Sequence, residues 1–263
     1  MFGIMFFKDG GKMFNFFATK ENRQGERFLI GGSDFNHIKN VLRMREGDEF
    51  LVSCCGISHL CRLETFLDGE LSALIIEENY QNTDLPIKIV LFQGLPKSDK
   101  MELIIQKAVE LGVHSVVPTE MSRCVVKLDD KKKKSKKDRW QAISESAAKQ
   151  SKRSEIPKVC DVLSYDEALK KAAELDLLLV PYESKNGMLD TKEALLRIKS
   201  GMSVGILIGA EGGFDEAEIE KAESAGGKII SLGERILRTE TAAITAVSMC
   251  MLYAEMNLSE DNK

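Results

Sequence analysis

The segment Ile206-Leu207-Ile208-Gly209-Ala210-Glu211-Gly212-Gly213-Phe214 decides how this chain is read. An apolar run of strand character passes directly into a glycine-rich turn, and Asp215–Ala225 beyond it has helical character. In open α/β sheets, ligands bind outside the carboxyl ends of the strands, where such turns lie. Glycines there let the backbone approach a bound molecule and take positive φ angles. The spacing is not the dinucleotide fingerprint G-x-G-x-x-G, and no Gly-Lys-Ser/Thr follows to make a P-loop. Taken alone, the motif also fits a tight strand-to-helix connection without a ligand.

About twenty residues on, Ser231-Leu-Gly-Glu-Arg-Ile-Leu-Arg-Thr-Glu-Thr-Ala-Ala243 repeats the arrangement. A strand ends in a loop with Gly233 and enters a helix that Thr239 can cap, with Glu240 and Thr241 in its first turn. Two such loops at one sheet edge form an apolar cradle with many backbone donors and acceptors. That suits a purine nucleoside better than a bare phosphate.

Outward from these loops, strands and helices alternate. Ile87–Leu95 is a nearly continuous apolar run, as in a buried parallel strand. Asp99 with Glu102 has capping-box spacing. Met101, Ile104, Ile105, Ala108 and Leu111 share a helical face that Gly112 ends. The spacing then predicts a strand at Val113–Pro118 and helices over Trp140–Gln150 and Asp166–Leu175. A strand at Leu177–Pro181, a helix at Leu189–Lys199 and a strand at Val204–Ile208 follow. The helix Asp215–Ala225, the strand Lys228–Leu232 and a long helix Glu240–Met256 close the chain. Such alternation implies a parallel sheet covered by helices on both faces. Ile244, Val247, Met251 and Leu252 in the last helix read as a core stripe.

The N-terminal part has a different rhythm. Short strands with turns occupy residues 13 to about 80, around one helix in which His37, Ile38, Val41 and Leu42 share a face and Ser33 or Asp34 is the cap. This pattern predicts a small β-barrel module. The polar stretch 79–86, ending in Pro86, marks the boundary. The expected organisation is an extension at 1–12, a barrel at 13–82 and an α/β domain at 83–263.

The 263 residues are 43% hydrophobic and 30% charged, ordinary values for a globular chain. Six scattered cysteines without a C-x-x-C pair, and only three histidines, argue against a disulfide framework and against a metal site. Reduced thiols fit a cytoplasmic location. The longest uncharged apolar stretch, Thr241–Ala254, is shorter than the ~20 residues of a membrane span. The opening MFGIMFFKDGGKMFNFF is interrupted at Lys8–Lys12 and lacks a basic n-region, so it makes a poor signal peptide. The net charge is −4, but residues 127–153 alone carry +7. Such runs are usually solvated loops. Within an otherwise acidic chain, this one also fits contact with nucleic-acid phosphates.

The two loops resemble those of the SPOUT methyltransferases, and the chain from about Met13 to Met256 resembles the ribosomal small subunit methyltransferase E family. The markers are His37, Val41-Leu42-Arg43 and Gly47-Asp48, then Lys97-Ser98-Asp99-Lys100, Gln106-Lys107-Ala108 and Glu110-Leu111-Gly112. Pro118, Arg123, Trp140, Ala147-Ala148-Lys149-Gln150-Ser151, Arg153 and Ile156-Pro157 complete them together with the two loops. The family usually has Gly-Pro-Glu-Gly-Gly where this chain has Gly209-Ala210-Glu211-Gly212-Gly213, and losing a proline loosens the unfolded loop.

The resemblance implies a PUA-like barrel that binds RNA, followed by a SPOUT-type parallel α/β sheet with a C-terminal trefoil knot. It implies an enzyme that methylates N3 of a uridine in 16S rRNA near the decoding site of the small ribosomal subunit. The methyl donor is S-adenosyl-L-methionine, and S-adenosyl-L-homocysteine is the product. The implied cofactor-binding residues are Leu207, Gly209, Glu211, Gly212, Leu232, Gly233, Ile236, Leu237 and Thr241. No histidine lies in the knot region, so Arg238, beside the pocket, is the candidate to stabilise a developing uridinate, with a salt bridge to Glu240 or Glu211 as the alternative role. Glu240 handles charge or protons, or only caps its helix. RNA contacts fall to Arg43, Arg45, Arg123, Lys149 and Arg153, with Lys131–Lys137 as a mobile phosphate clamp. A homodimer completes the site, and neither metal nor membrane takes part. A non-catalytic rRNA binder, or a SPOUT enzyme acting on another RNA nucleotide, are the other readings.

Overall fold

The computed structural model describes residues 13–81, 83–182 and 187–258, so the expected extension at 1–12 lies outside the described residues. The chain divides into two compact units. One holds residues up to Thr83 together with Ala148–Glu155, and the other holds Asp84–Ala147 and the chain from Ile156 onward.

In the first unit, β1 (Asn15–Ala18), β2 (Arg23–Gln24), β3 (Arg27–Gly31), β4 (Glu49–Cys54), β5 (Ile57–Phe66) and β6 (Glu70–Gln81) form one sheet in the order β1-β4-β5-β6-β3-β2. Only β1 and β4 are parallel. Alternate residues send Phe16, Phe28, Phe50, Leu63 and Leu71 into one core, where the rings of Phe16 and Phe50 meet edge to face at 5.6 Å. Between β3 and β4, α1 (Gly32–Asn36) passes into a wider π-helical segment, His37–Leu42, that buries Ile38. The cap is Gly31 rather than Ser33 or Asp34; the carboxylate of Asp34 instead accepts from Lys149 Nζ at 2.8 Å.

In the second unit every strand pair is parallel. The strands β7 (Lys88–Gly94), β8 (Ser115–Glu120), β9 (Lys158–Val159), β10 (Leu163–Ser164), β11 (Leu177–Pro181), β12 (Ser203–Ile208) and β13 (Lys228–Ile230) give the order β10-β8-β7-β12-β11-β13, with β9 also on β8. The helices are α2 (Lys100–Glu110), α3 (Asp130–Gln150, whose last residues from Ala148 belong to the first unit), α4 (Tyr165–Ala172), α5 (Met188–Leu195), α6 (Glu216–Ser224) and α7 (Thr239–Asn257). None of the described helices is long and apolar enough to cross a membrane.

The lysine run is not a loop: it forms the first half of α3. Lys133 reaches Glu120 at 2.9 Å, Lys137 reaches Asp161 at 2.6 Å and Arg139 reaches Glu102 at 2.7 Å. Acidic partners on neighbouring elements thus relieve the like-charge repulsion that would oppose a helix here. The Arg139 pair also takes the Glu102 carboxylate, so the Asp99/Glu102 capping box does not form. Capping boxes do form at Ser164/Glu167 and Asp215/Glu218. They set the starts of α4 and α6. The two helices expected at 166–175 and 189–199 are shorter than their periodicity, because turns follow Ala172 and Leu195.

The expected stripe on α7 is also revised. Of its members only Val247 is buried, whereas Ile244 and Met251 are half-buried and Leu252 is exposed. The core face is Ala243, Ala246, Val247, Cys250 and Ala254, at spacings of three and four residues. Small side chains let α7 lie close against β7, β12 and α2.

Candidate active site

The chain leaves β7 to one side for β8 and returns on the other side as β12, so the sheet's topological switch point lies between β7 and β12. Crevices open at such points beyond the carboxyl ends of the strands. Here the two strand ends come very close. A Cβ placed on Gly94 would stand 2.6 Å from the Ala210 nitrogen and 3.0 Å from the Gly209 carbonyl carbon. The turn after β12 folds on itself, with Gly213 N–H donating to Ala210 O at 2.9 Å and Gly213 at φ +66°. Arg123 Nη1 donates to Gly212 O at 3.1 Å and backs the turn from outside.

The start of α7 is tied to the same turn. Thr239 Oγ1 donates to Gly209 O at 2.6 Å and accepts from Gln93 Nε2 at 2.9 Å. Thr239 therefore does not cap the helix: its hydroxyl is spent on the turn, and the cap position falls to Arg238. After β13, the Ser231 N–H donates to Thr191 Oγ1 at 3.0 Å, and Gly233 turns the chain at φ +105°.

These segments enclose a cavity of about 530 Å³, walled by Lys100, Pro181, Tyr182, Ile208–Phe214, Ile236–Thr239 and Ala242. A second hollow of about 710 Å³ shares Pro181, Tyr182, Ile236, Leu237 and Ala242 with it and continues along Ser231–Arg235. Volumes of this size suit a small-molecule ligand. Gly213 and Gly233 line the two hollows, and a Cβ on Gly213 would meet nothing within 4 Å.

A family model described as an RNA methyltransferase domain matches residues 83–251, which contain both loops, and one described as an RNA methyltransferase PUA domain matches residues 30–64. Ribosomal RNA small subunit methyltransferase E of Bacillus subtilis is 43% identical over 245 residues, covering 90% of this chain and 95% of its own length. This chain belongs to the ribosomal RNA small subunit methyltransferase E family. The family enzyme of Neisseria gonorrhoeae, crystallised with S-adenosyl methionine, superposes with a TM-score of 0.78 at 31% identity, covering 92% of this chain and 98% of that one. A putative methyltransferase of Legionella pneumophila, solved with bound SAM, gives 0.78 at 29% identity, with the same coverage of both chains.

For a methyltransferase E chain, the sequence candidates fall into distinct places. Gly209, Glu211 and Gly212 line the first cavity, Leu232 and Gly233 the second, and Ile236 and Leu237 both. Leu207 is inside β12 and buried, because strand alternation turns Ile208 and not Leu207 to the wall. Thr241 is exposed and lines neither hollow. Arg238 stands in the cavity wall and is exposed, with no ion pair among the described residues. The alternative salt bridge to Glu240 or Glu211 does not form.

Both carboxylates belong instead to Lys100, whose Nζ is 3.1 Å from Glu211 Oε1 and 3.2 Å from Glu240 Oε2. The two carboxylates beside it, Glu211 first and then Glu240, hold the Lys100 ammonium above its usual pKa. Burial pushes Glu211 up, but the Lys97 N–H at 3.0 Å and the Lys100 ammonium outweigh it, so its pKa is lowered and it stays ionised. Sequence reasoning gives no site role to Lys100, Gln93 or Tyr182. The Lys97–Lys100 motif is visible in the sequence, but its partners, over a hundred residues away, are not.

Of the RNA candidates, Arg43 and Arg45 are exposed at the exit of the π-helical segment. Arg153 is 6% exposed, and its carbonyl accepts from Asn15 Nδ2 at 3.0 Å. Burial therefore withdraws Arg153 from phosphate contact. Lys149 is paired with Asp34, and Arg123 faces the glycine turn. Among the described residues no cluster of His, Cys, Asp and Glu could hold a metal.

Proposed function

We propose that this chain transfers the methyl group of S-adenosyl-L-methionine to N3 of a uridine in 16S rRNA of the small ribosomal subunit, releasing S-adenosyl-L-homocysteine. The observation that carries the reading is the glycine-lined cavity at the switch point with Arg238 in its wall. The residues fit the cofactor. Backbone groups of 209–213 and 232–237 face a hollow edged by Ile208, Phe214, Ile236 and Leu237, and side-chain-free glycines leave room for a nucleoside.

The cofactor, when bound, supplies an electrophilic methyl group. The chain must hold uridine N3 in line with it and stabilise the negative charge that N3 and its flanking carbonyls acquire as the N3 proton passes to solvent water. Arg238 is suited to this role, because it is permanently charged, presents five donors and is paired with no carboxylate among the described residues. No histidine lines the cavity. Glu240, held against Lys100 and outside the cavity wall, serves as an anchor in this reading.

The N-terminal unit (13–82), with exposed Arg43 and Arg45, binds RNA in this reading, and residues 83–263 form the methyltransferase domain with its trefoil knot, which a crystallographic chain trace tests. The cytoplasm is where the substrate lies. A second copy of the chain covers the cavity rim, where Ile236 is 99% exposed and Met188 and Leu189 are more than half exposed. Light scattering at the single-chain mass would remove the dimer.

The lysines of α3 that point to solvent, Lys131, Lys132 and Lys134, are phosphate contacts on a fixed helix rather than a mobile clamp. Changing all three to glutamine is expected to lower the slope of log affinity for RNA against log salt by about 2–3. An unchanged slope would exclude them.

The test of the main reading is mass mapping of 16S rRNA from a strain lacking the protein. One 3-methyluridine should disappear and return when purified protein and S-adenosylmethionine are added to small subunits. A map identical to wild type would reject the proposal.

A further inference from the structure

The cavity wall contains a cation that the reaction above does not use. Lys100 is the first residue of α2, Glu211 lies in the glycine turn and Glu240 in the first turn of α7, so one ammonium joins three segments at the same sheet edge. All three side chains are partly buried, at 28%, 26% and 15% exposure for Lys100, Glu211 and Glu240. The turn does not depend on Lys100 alone. Glu211 also accepts from the Lys97 N–H, and Gly209 from Thr239.

Arg238 lines the same cavity as Glu211 and precedes Glu240 by two residues, yet it pairs with neither. A guanidinium fork matches a carboxylate better than an ammonium does and normally takes such a neighbour. Here each carboxylate already has the Lys100 ammonium at 3.1–3.2 Å.

We propose that Lys100 is a positioning residue for the methyl transfer: by holding Glu211 and Glu240 together, it keeps Arg238 unpaired and available to the uridine. The proposal rests on the methyl-transfer reading and extends it to a residue that never touches the reacting atoms. Removing the ammonium leaves both carboxylates without a cation, and Arg238 swings to one of them and is lost to the substrate. Removing one carboxylate as well weakens that capture, so two defects together should be milder than one.

The experiment compares the wild-type full-length chain with Lys100→Met, Lys100→Arg and the Lys100→Met/Glu240→Gln double variant. It measures kcat on small subunits, S-adenosylmethionine affinity by calorimetry, and the crystal structure of Lys100→Met. In Lys100→Met, kcat is expected to fall about thirtyfold while Kd for the cofactor moves less than about fivefold. Lys100→Arg should stay within about fivefold of wild type, and the double variant should recover severalfold over Lys100→Met. The Lys100→Met structure should show the Arg238 guanidinium on Glu211 or Glu240.

A kcat within about twofold of wild type for Lys100→Met, a double variant no better than the single, or an Arg238 that stays apart from both carboxylates each overturns the proposal. A merely structural tie would make the double variant worse and leave Arg238 where it is. A wild-type chain that does not methylate small subunits overturns the underlying reading, and the positioning role with it.

Discussion

Changing Arg238 to alanine is expected to lower turnover on small subunits by at least about a hundredfold while cofactor affinity stays within about threefold. The reason is where the charge sits. The guanidinium is exposed at the cavity wall and has no carboxylate partner among the described residues, so its removal orphans no buried anion. In the proposed reaction, what is lost is a donor to charge that develops during transfer, and removing such a donor typically costs ~10²–10³ in rate. Lysine at this position should restore only part of the proposed reaction, since an ammonium lacks the planar pair of donors that a guanidinium presents to a carbonyl oxygen carrying developing charge. Calorimetry with S-adenosylmethionine and a single-turnover methylation assay separate the two effects. Full turnover by Arg238→Ala would take this residue out of the mechanism.

Gly94→Ala is expected to weaken cofactor binding more than about tenfold and to destabilise the chain by about 1–3 kcal/mol. Gly94 does not have a left-handed backbone, so alanine meets no conformational penalty there. The obstacle is contact. The new methyl would press on the Ala210 nitrogen at 2.6 Å and the Met121 sulfur at 2.9 Å. The sulfur ends a flexible side chain and can move; the backbone nitrogen cannot move without the turn. That turn is pinned by Thr239 on Gly209, Arg123 on Gly212 and Lys97 on Glu211, so a shift propagates into the cavity wall. Thermal melting together with calorimetry checks both halves. Wild-type values in each would show that the strand ends have room to spare.

Ala210 marks how far local sequence carries. Its place in the glycine turn is visible in the chain itself, and so is the missing proline. Only the folded chain shows that three separate ties hold the turn whether or not a proline stiffens it. The Asp99/Glu102 spacing is a similar case. It has the form of a capping box, but Arg139 on α3 takes the Glu102 carboxylate. The lysine run has the character of a solvated loop when its charges are counted within the run, whereas half the answer lies in Glu120, Asp161 and Glu102 elsewhere.

Strand and helix positions, the parallel sheet and the two ligand-side loops follow from residues near in sequence, because periodicity and glycine placement act within a few residues. The family follows from motif order along the chain. The partners of each charge do not, because a salt bridge depends on which segments the fold brings within 4 Å. Sequence alone placed Arg238, Glu211 and Glu240 together but could not say which cation the carboxylates choose. Tertiary structure gave both to Lys100, since the entry to α2 reaches the same sheet edge, and Arg238 has no ion-pair partner among the described residues.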